Sequence, residues 1–174
     1  MAVVASNYIR RGKVGNDRAK DAIRYMQHRP EREGERITRP LFGPDGRQGR
    51  EDAYRMIDEA PPGTHFYRMS LNPDPTVEDG KKDLDLREIT EHTIRSLEKM
   101  VQRPVYYVAA VHAEHADHRH VYLLASVPRR LNPPELQRLT QTATQACLEQ
   151  RRERDRVLER QAREQEWEAF EWGL

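Results

Sequence analysis

A single cysteine, Cys147, serves the whole chain of 174 residues. No disulfide framework can form within it, and no zinc site built on thiolates can be assembled. Any metal must therefore be held by His, Asp, Glu or Tyr, and a reducing compartment fits. Long apolar runs are missing as well. Nowhere do about eighteen apolar residues follow one another, and the short apolar run in "MAVVASNYIRRG" has no basic region before it. A membrane span and a secretion signal are thus not expected, and the chain reads as soluble and cytoplasmic. No internal repeat is present, and the length suits one domain with a real core.

Net charge is also scarce, at +1, but it is unevenly spread. Residues 1–50 hold twelve Lys or Arg against six acids. That half can attract phosphate, or it can be a solvated surface neutralised by acids elsewhere in the fold.

What is there is an alternation of strand and helix patterns. "VVASNYI" reads as a first strand. "NDRAKDAIRYMQHR" opens on a capping residue, Asn16 or Asp17, and sets Ala19, Ile23 and Met26 on one helical stripe. Pro30 and Gly34 end it. A short strand is expected between Glu35 and Asp45, closed by the "GPDG" turn, and "GREDAYRMIDEA" is a second helix stopped by Pro61, Pro62 and Gly63. "THFYRMSLN" is strand-like and ends at "NPDP". "DLDLREITEHTIRSLEKMV" repeats Leu86, Ile89, Thr93, Leu97 and Met100 as one buried helical face. "VYYVAAVH" and "HVYLLASV" are two apolar strands joined by a His-rich turn, which makes them antiparallel neighbours.

From Asn132, Pro133 and Pro134 onward no breaker occurs until Gly173, so the tail is one long helix or two in line. Leu136, Leu139, Ala143, Ala146 and Gln150 line its first half. The second half is mostly charged and is expected to project or dock through Val157, Leu158, Trp167, Phe170 and Trp172, for packing or for a homodimer. A linker into a further domain is the rival reading. The expected architecture is α+β: a mainly antiparallel sheet with helices on one face and a tail helix available for the other. Residues 1–130 form its main domain and 131–174 a helical extension.

The stretch "VHAEHADHRHVYLLASV" gathers His112, His115, His118 and His120, four of the seven histidines, in nine positions. Such a cluster can bind an ion, move protons or decorate a turn. Three separated stretches, "AIRYMQHRPEREGERITRPLFGPDG", "YRMSLNPDP…DLDLREITEHTIRSLEK" and "VAAVHAEHADHRHVYLLA", resemble the mobilisation relaxases, the HUH (His-hydrophobic-His) endonucleases that nick one DNA strand at a transfer origin. The resemblance covers roughly residues 18–127. It implies a five-stranded sheet, a tyrosine nucleophile, a divalent cation (Mg²⁺ or Mn²⁺, with Zn²⁺ as a further candidate), and single-stranded DNA and accessory mobilisation proteins as partners.

Two side chains one residue apart on a strand share a face, about 7 Å apart along the backbone, so both can reach one ion. Two pairs compete here: His118 with His120 around Arg119, and His120 with Tyr122 around Val121. If helices cover the opposite face, Val121 belongs there and Arg119 does not, which favours His120 with position 122. Relaxases carry histidine at the latter position, and this chain has Tyr122, which ligates less well. The resemblance makes His115 the matching upstream histidine, with His118 and His112 as alternates, and Asp117 or Glu114 could orient a ring.

For the nucleophile the candidates are Tyr25 and Tyr8. Tyr25 lies in the matching segment beside the Ala19, Ile23, Met26 stripe, whereas Tyr8 is expected in the core. Arg18, Arg24, His28, Arg29, Arg32 and Arg36 around Tyr25 are the candidate DNA contacts, since phosphoryl transfer needs the phosphate charge neutralised. A non-catalytic relaxase-like DNA-binding or transfer-complex protein, with a metal site weakened by Tyr122, is the alternative function.

Overall fold

The computed structural model describes residues 3–30, 32–113 and 118–171. Its first strand, β1 (Val3–Arg10), leads into α1 (Lys13–His28) through a close crossing that only glycine permits. A β-carbon at Gly15 would lie 1.9 Å from the Arg10 carbonyl oxygen. The helix accordingly starts ahead of the expected cap. Asn16 lies inside it and reaches back to accept the Gly12 N–H at 3.3 Å. Ala19, Ile23 and Met26 are buried as their spacing predicts.

A tight hairpin, β2 (Leu41–Gly43) and β3 (Gly46–Gln48), precedes α2 (Arg50–Asp58) and β4 (His65–Asn72). α3 (Leu86–Val101) opens on Asp85, whose carboxylate accepts the Glu88 N–H at 3.0 Å. β5 (Tyr107–His112) and β6 (His120–Val127) follow, and α4 (Pro133–Glu171) closes the described chain. Its start is a reciprocal cap: Asn132 Oδ1 accepts the Glu135 N–H, and Glu135 accepts the Asn132 N–H, both at 2.9 Å. Among the described residues no helix is long and apolar enough to cross a membrane.

The fold is α+β, with one fully antiparallel sheet in the order β1-β4-β6-β5-β2-β3. It has six strands where the sequence suggests five, because the return limb β3 is three residues long and shows no alternation that could be read in advance. The layering also differs from expectation. α1 and α2 share one face, burying Ala19, Ile23, Met26, Ala53 and Ile57 against Phe66, Val108, Ala110 and Leu124. α3 lies with the first half of α4 on the other, where Ile89, Leu97, Leu139 and Ala143 meet Tyr67, Met69, Leu71, Val121, Leu123 and Ala125. The central strands are apolar on both sides, so both faces need cover, and one tail helix is too narrow to provide it for the second.

Tyr8, expected in the core, is 37% exposed on edge strand β1. It pairs with Tyr67, on the α3 and α4 face, and Arg130 lies over its ring at 5.4 Å.

Candidate functional site

The register of the β5–β6 hairpin sets His112 directly opposite His120 and Ala110 opposite Tyr122. Alternation then places His112, His120 and Tyr122 together on the α1 face, while Val121 is fully buried among the residues under α3 and α4. The three rings form one cluster. His112 stacks on His120 with centroids 5.1 Å apart, and Tyr122 stands edge-on to both, at 4.7 Å from His112 and 4.8 Å from His120.

α1 closes this cluster from above. The His112 Nε2–H donates to the Met26 carbonyl at 2.8 Å, which fixes the tautomer and leaves the Nδ1 lone pair on the other side of a fully buried ring. One residue earlier on the helix, Tyr25 projects outward, 55% exposed, with its ring 6.3 Å from that of Tyr122. Arg29, just past the helix end, donates to the Tyr122 hydroxyl at 2.6 Å. Its guanidinium lies 5.5 Å from the Tyr25 ring and 5.8 Å from that of Tyr122.

A second arginine supports the first. Arg39, buried at 1% exposure, donates to the Arg29 carbonyl at 2.7 Å and so fixes the backbone from which Arg29 reaches. Burial first, then the neighbouring His118, Arg29 and Arg39 charges, push His120 down to about 4. At neutral pH its ring is uncharged. Among the described residues neither His120 nitrogen has a hydrogen-bond partner, although both are buried. A neutral imidazole of this kind can take a cation or a proton.

Of the residues singled out from sequence, Tyr25, Arg29, His112, His120 and Tyr122 converge. His118 is exposed and precedes β6, with its ring 5.7 Å from His120. His115, Glu114 and Asp117 lie outside the described residues. Among those described, no three His, Cys, Asp or Glu side chains stand close enough to hold a metal, so the donor set here is two imidazoles and a phenol.

His28 is turned away into the fold. Its Nδ1 faces the Ile37 carbonyl at 3.0 Å and its Nε2 meets the Arg50 guanidinium, which ties the loop after α1 to the helix. Arg24 pairs with Asp21 one turn earlier. Arg32 and Arg36 are exposed on the loop leading to β2. Arg18, with Asn7, Tyr25, Arg68, Ser70 and Tyr122, lines an open groove of about 1020 Å³ between α1 and the sheet. Across its floor Arg68 donates to Asn7 Oδ1 at 2.8 Å.

Arg119 behaves differently from its expected role as a residue unfit for the covered side. It packs beneath the hairpin, making two 2.8 Å bonds to the Asp79 carboxylate and one of 2.9 Å to the Leu84 carbonyl. This anchors the residue just before His120. Arg39, Arg68 and the Asp79 clamp were not singled out from sequence. Each is an ordinary charged residue whose partner lies ten or more positions away along the chain, and no local pattern marks it. No protein-family model matches this chain, and no curated protein matches it.

Proposed function

We propose that the chain is a relaxase-like endonuclease that nicks single-stranded DNA by tyrosine transesterification. The supporting observation is an exposed tyrosine (Tyr25) on the wall of an open groove, with the Arg29 guanidinium beside its ring and, behind the groove-lining Tyr122, a pair of stacked imidazoles (His112 and His120). In this reading the Tyr25 oxygen attacks the scissile phosphorus and a phosphotyrosine bond forms. The bond from phosphorus to the 3′ oxygen breaks, and that oxygen leaves as an alcohol after taking a proton. Arg29 neutralises the phosphoryl oxygens as negative charge builds on them. Arg18 and Arg68 give the strand electrostatic purchase along the groove.

His112 and His120, with Tyr122 beside them, would hold a divalent cation, which would add charge neutralisation at the phosphate. The neutral His120 ring and the tautomer set on His112 by Met26 fit that role. Tyr122 fits it less well, because its hydroxyl already accepts from Arg29. That bond is the specific observation favouring the second reading, a protein that binds DNA through the same groove without cutting it.

The test is incubation of the full chain with a randomised single-stranded DNA library and Mn²⁺, followed by a denaturing gel. A covalent protein–DNA adduct is expected. Tyr25→Phe should abolish it and leave single-strand binding nearly unchanged, since only the hydroxyl is lost. Binding without any adduct would select the second reading, and an adduct that survives in Tyr25→Phe rules out this nucleophile.

A further inference from the structure

Among the described residues the far end of α4 packs against nothing in the domain. Every residue from Leu158 to Glu171 is exposed, and the segment extends about 21 Å at 1.5 Å per residue. The segment continues a helix already nucleated and docked through its first half, so it holds its shape while presenting its side chains to solvent. The segment carries Trp167 at 63% and Phe170 at 79% exposure, their ring centroids 6.3 Å apart.

Its charges are sorted along its length. Residues 151–163 hold six arginines against three acids, and residues 164–171 hold four glutamates and no Lys or Arg. They are also sorted around it. At 100° per residue, Arg156, Arg160, Arg163, Trp167 and Phe170 fall within an arc of about 80°. One face thus runs from guanidinium groups to aromatic rings.

We propose that this face pairs antiparallel with the same face of a second copy of the chain. The two-fold axis passes between Arg163 and Glu164. Such pairing is isologous: Arg160 of each copy faces Trp167 of the other, and the basic stretch of each lies along the acidic stretch of the other. A parallel pair would set like charge on like. The four glutamates around the aromatics argue against a nucleic acid as the occupant, since they would repel its phosphates. A contact between two short helical segments is small, so the dimer forms at micromolar rather than nanomolar concentration. The inference does not depend on the DNA-nicking reading.

Sedimentation equilibrium on the full chain should show a monomer–dimer equilibrium that weakens with added salt. The double substitution Trp167→Ala, Phe170→Ala should give a monomer whose melting temperature equals that of the parent at concentrations low enough for the parent to be monomeric, both side chains being solvent-exposed in the single chain. Cys147 is buried, so an introduced thiol is the reactive one. Arg163→Cys should cross-link between copies under mild oxidation. Arg156→Cys should not, because its counterpart lies about 22 Å away along an antiparallel pair. Three outcomes overturn the proposal: cross-linking through Arg156→Cys; a dimer that survives loss of both aromatics; and a chain monomeric at all concentrations, whether or not losing the aromatics weakens binding to an oligo-dT probe.

Discussion

Replacing Tyr122 by histidine tests both the face assignment and the cation role. Tyr122 is half-buried, touches the rings of His112 and His120 edge-on, and accepts one hydrogen bond from Arg29 at 2.6 Å. Histidine keeps an aromatic ring on a strand that already holds a larger one, but it loses the hydroxyl and leaves Arg29 without that acceptor. Because both partners are partly solvated, the stability cost should be about 1–2 kcal/mol, which in a chain of this size is a fall of about 5 °C in Tm. In exchange, a third nitrogen ligand enters beside His112 and His120.

Metal affinity should then rise about tenfold or more, judged by the size of outer-partner effects alone. Calorimetric titration with Mn²⁺ reads that change directly. Melting with and without Mn²⁺ gives an independent check, since a ligand at about a hundred times its Kd stabilises by about 2.7 kcal/mol. The variant should melt below the parent without the ion and at or above it when the ion is saturating. His120→Ala should remove binding in both backgrounds. If Tyr122→His leaves the affinity unchanged while His118→Ala destroys it, the working pair is His118 with His120, and the argument from strand alternation fails.

Three further outcomes follow from the fold. Asp79→Ala strips a mostly buried carboxylate from Arg119 and should cost about 3 kcal/mol, read from urea unfolding, with a smaller loss for the paired change Asp79→Leu, Arg119→Met. Gly15→Ala drives a methyl onto the Arg10 carbonyl and should destabilise by about 2–3 kcal/mol, whereas the same change at Gly49, whose backbone is extended and whose nearest neighbour is the flexible end of Asp52, should cost much less. The Asp74 carboxylate is held down to about 2 by the Val77 and Thr76 N–H groups that it accepts. Its contribution is therefore present above the ordinary carboxylate range and is lost as pH falls from about 4 through 2. Asp74→Asn should flatten that acid limb in urea midpoints measured against pH.

Much of the secondary structure was legible because its signals are local. The Ala19, Ile23, Met26 stripe, the Asn132 cap, and the apolar runs of β5 and β6 each lie within a dozen or so consecutive residues, where a helical period or a short apolar run can declare itself. The choice of Val121 as the residue facing the covered side rested on that same alternation and agrees with its burial. β3 was not legible, since three residues carry no period.

The composition of the site was decided by tertiary structure. The resemblance to relaxases ranked His115 above His112, and spacing along the chain says nothing about which histidine the hairpin register sets opposite His120, a place that His112 takes. That Tyr25 comes near Tyr122 depends on how α1 crosses the sheet, which the close approach at Gly15 permits. Arg29 stood out only as one of six candidate phosphate contacts around Tyr25, and Arg39 was unmarked among twelve similar charges in the first fifty residues. One became a donor to Tyr122 and the other a buried prop beneath it, because a charge acquires a role only from the partner that the fold brings to it. The sequence by itself determined the helices, the main strands and the faces they bury. Which side chains meet across those faces was settled by packing, where contacts between residues nearly a hundred positions apart, such as Arg29 with Tyr122, leave no trace in local pattern.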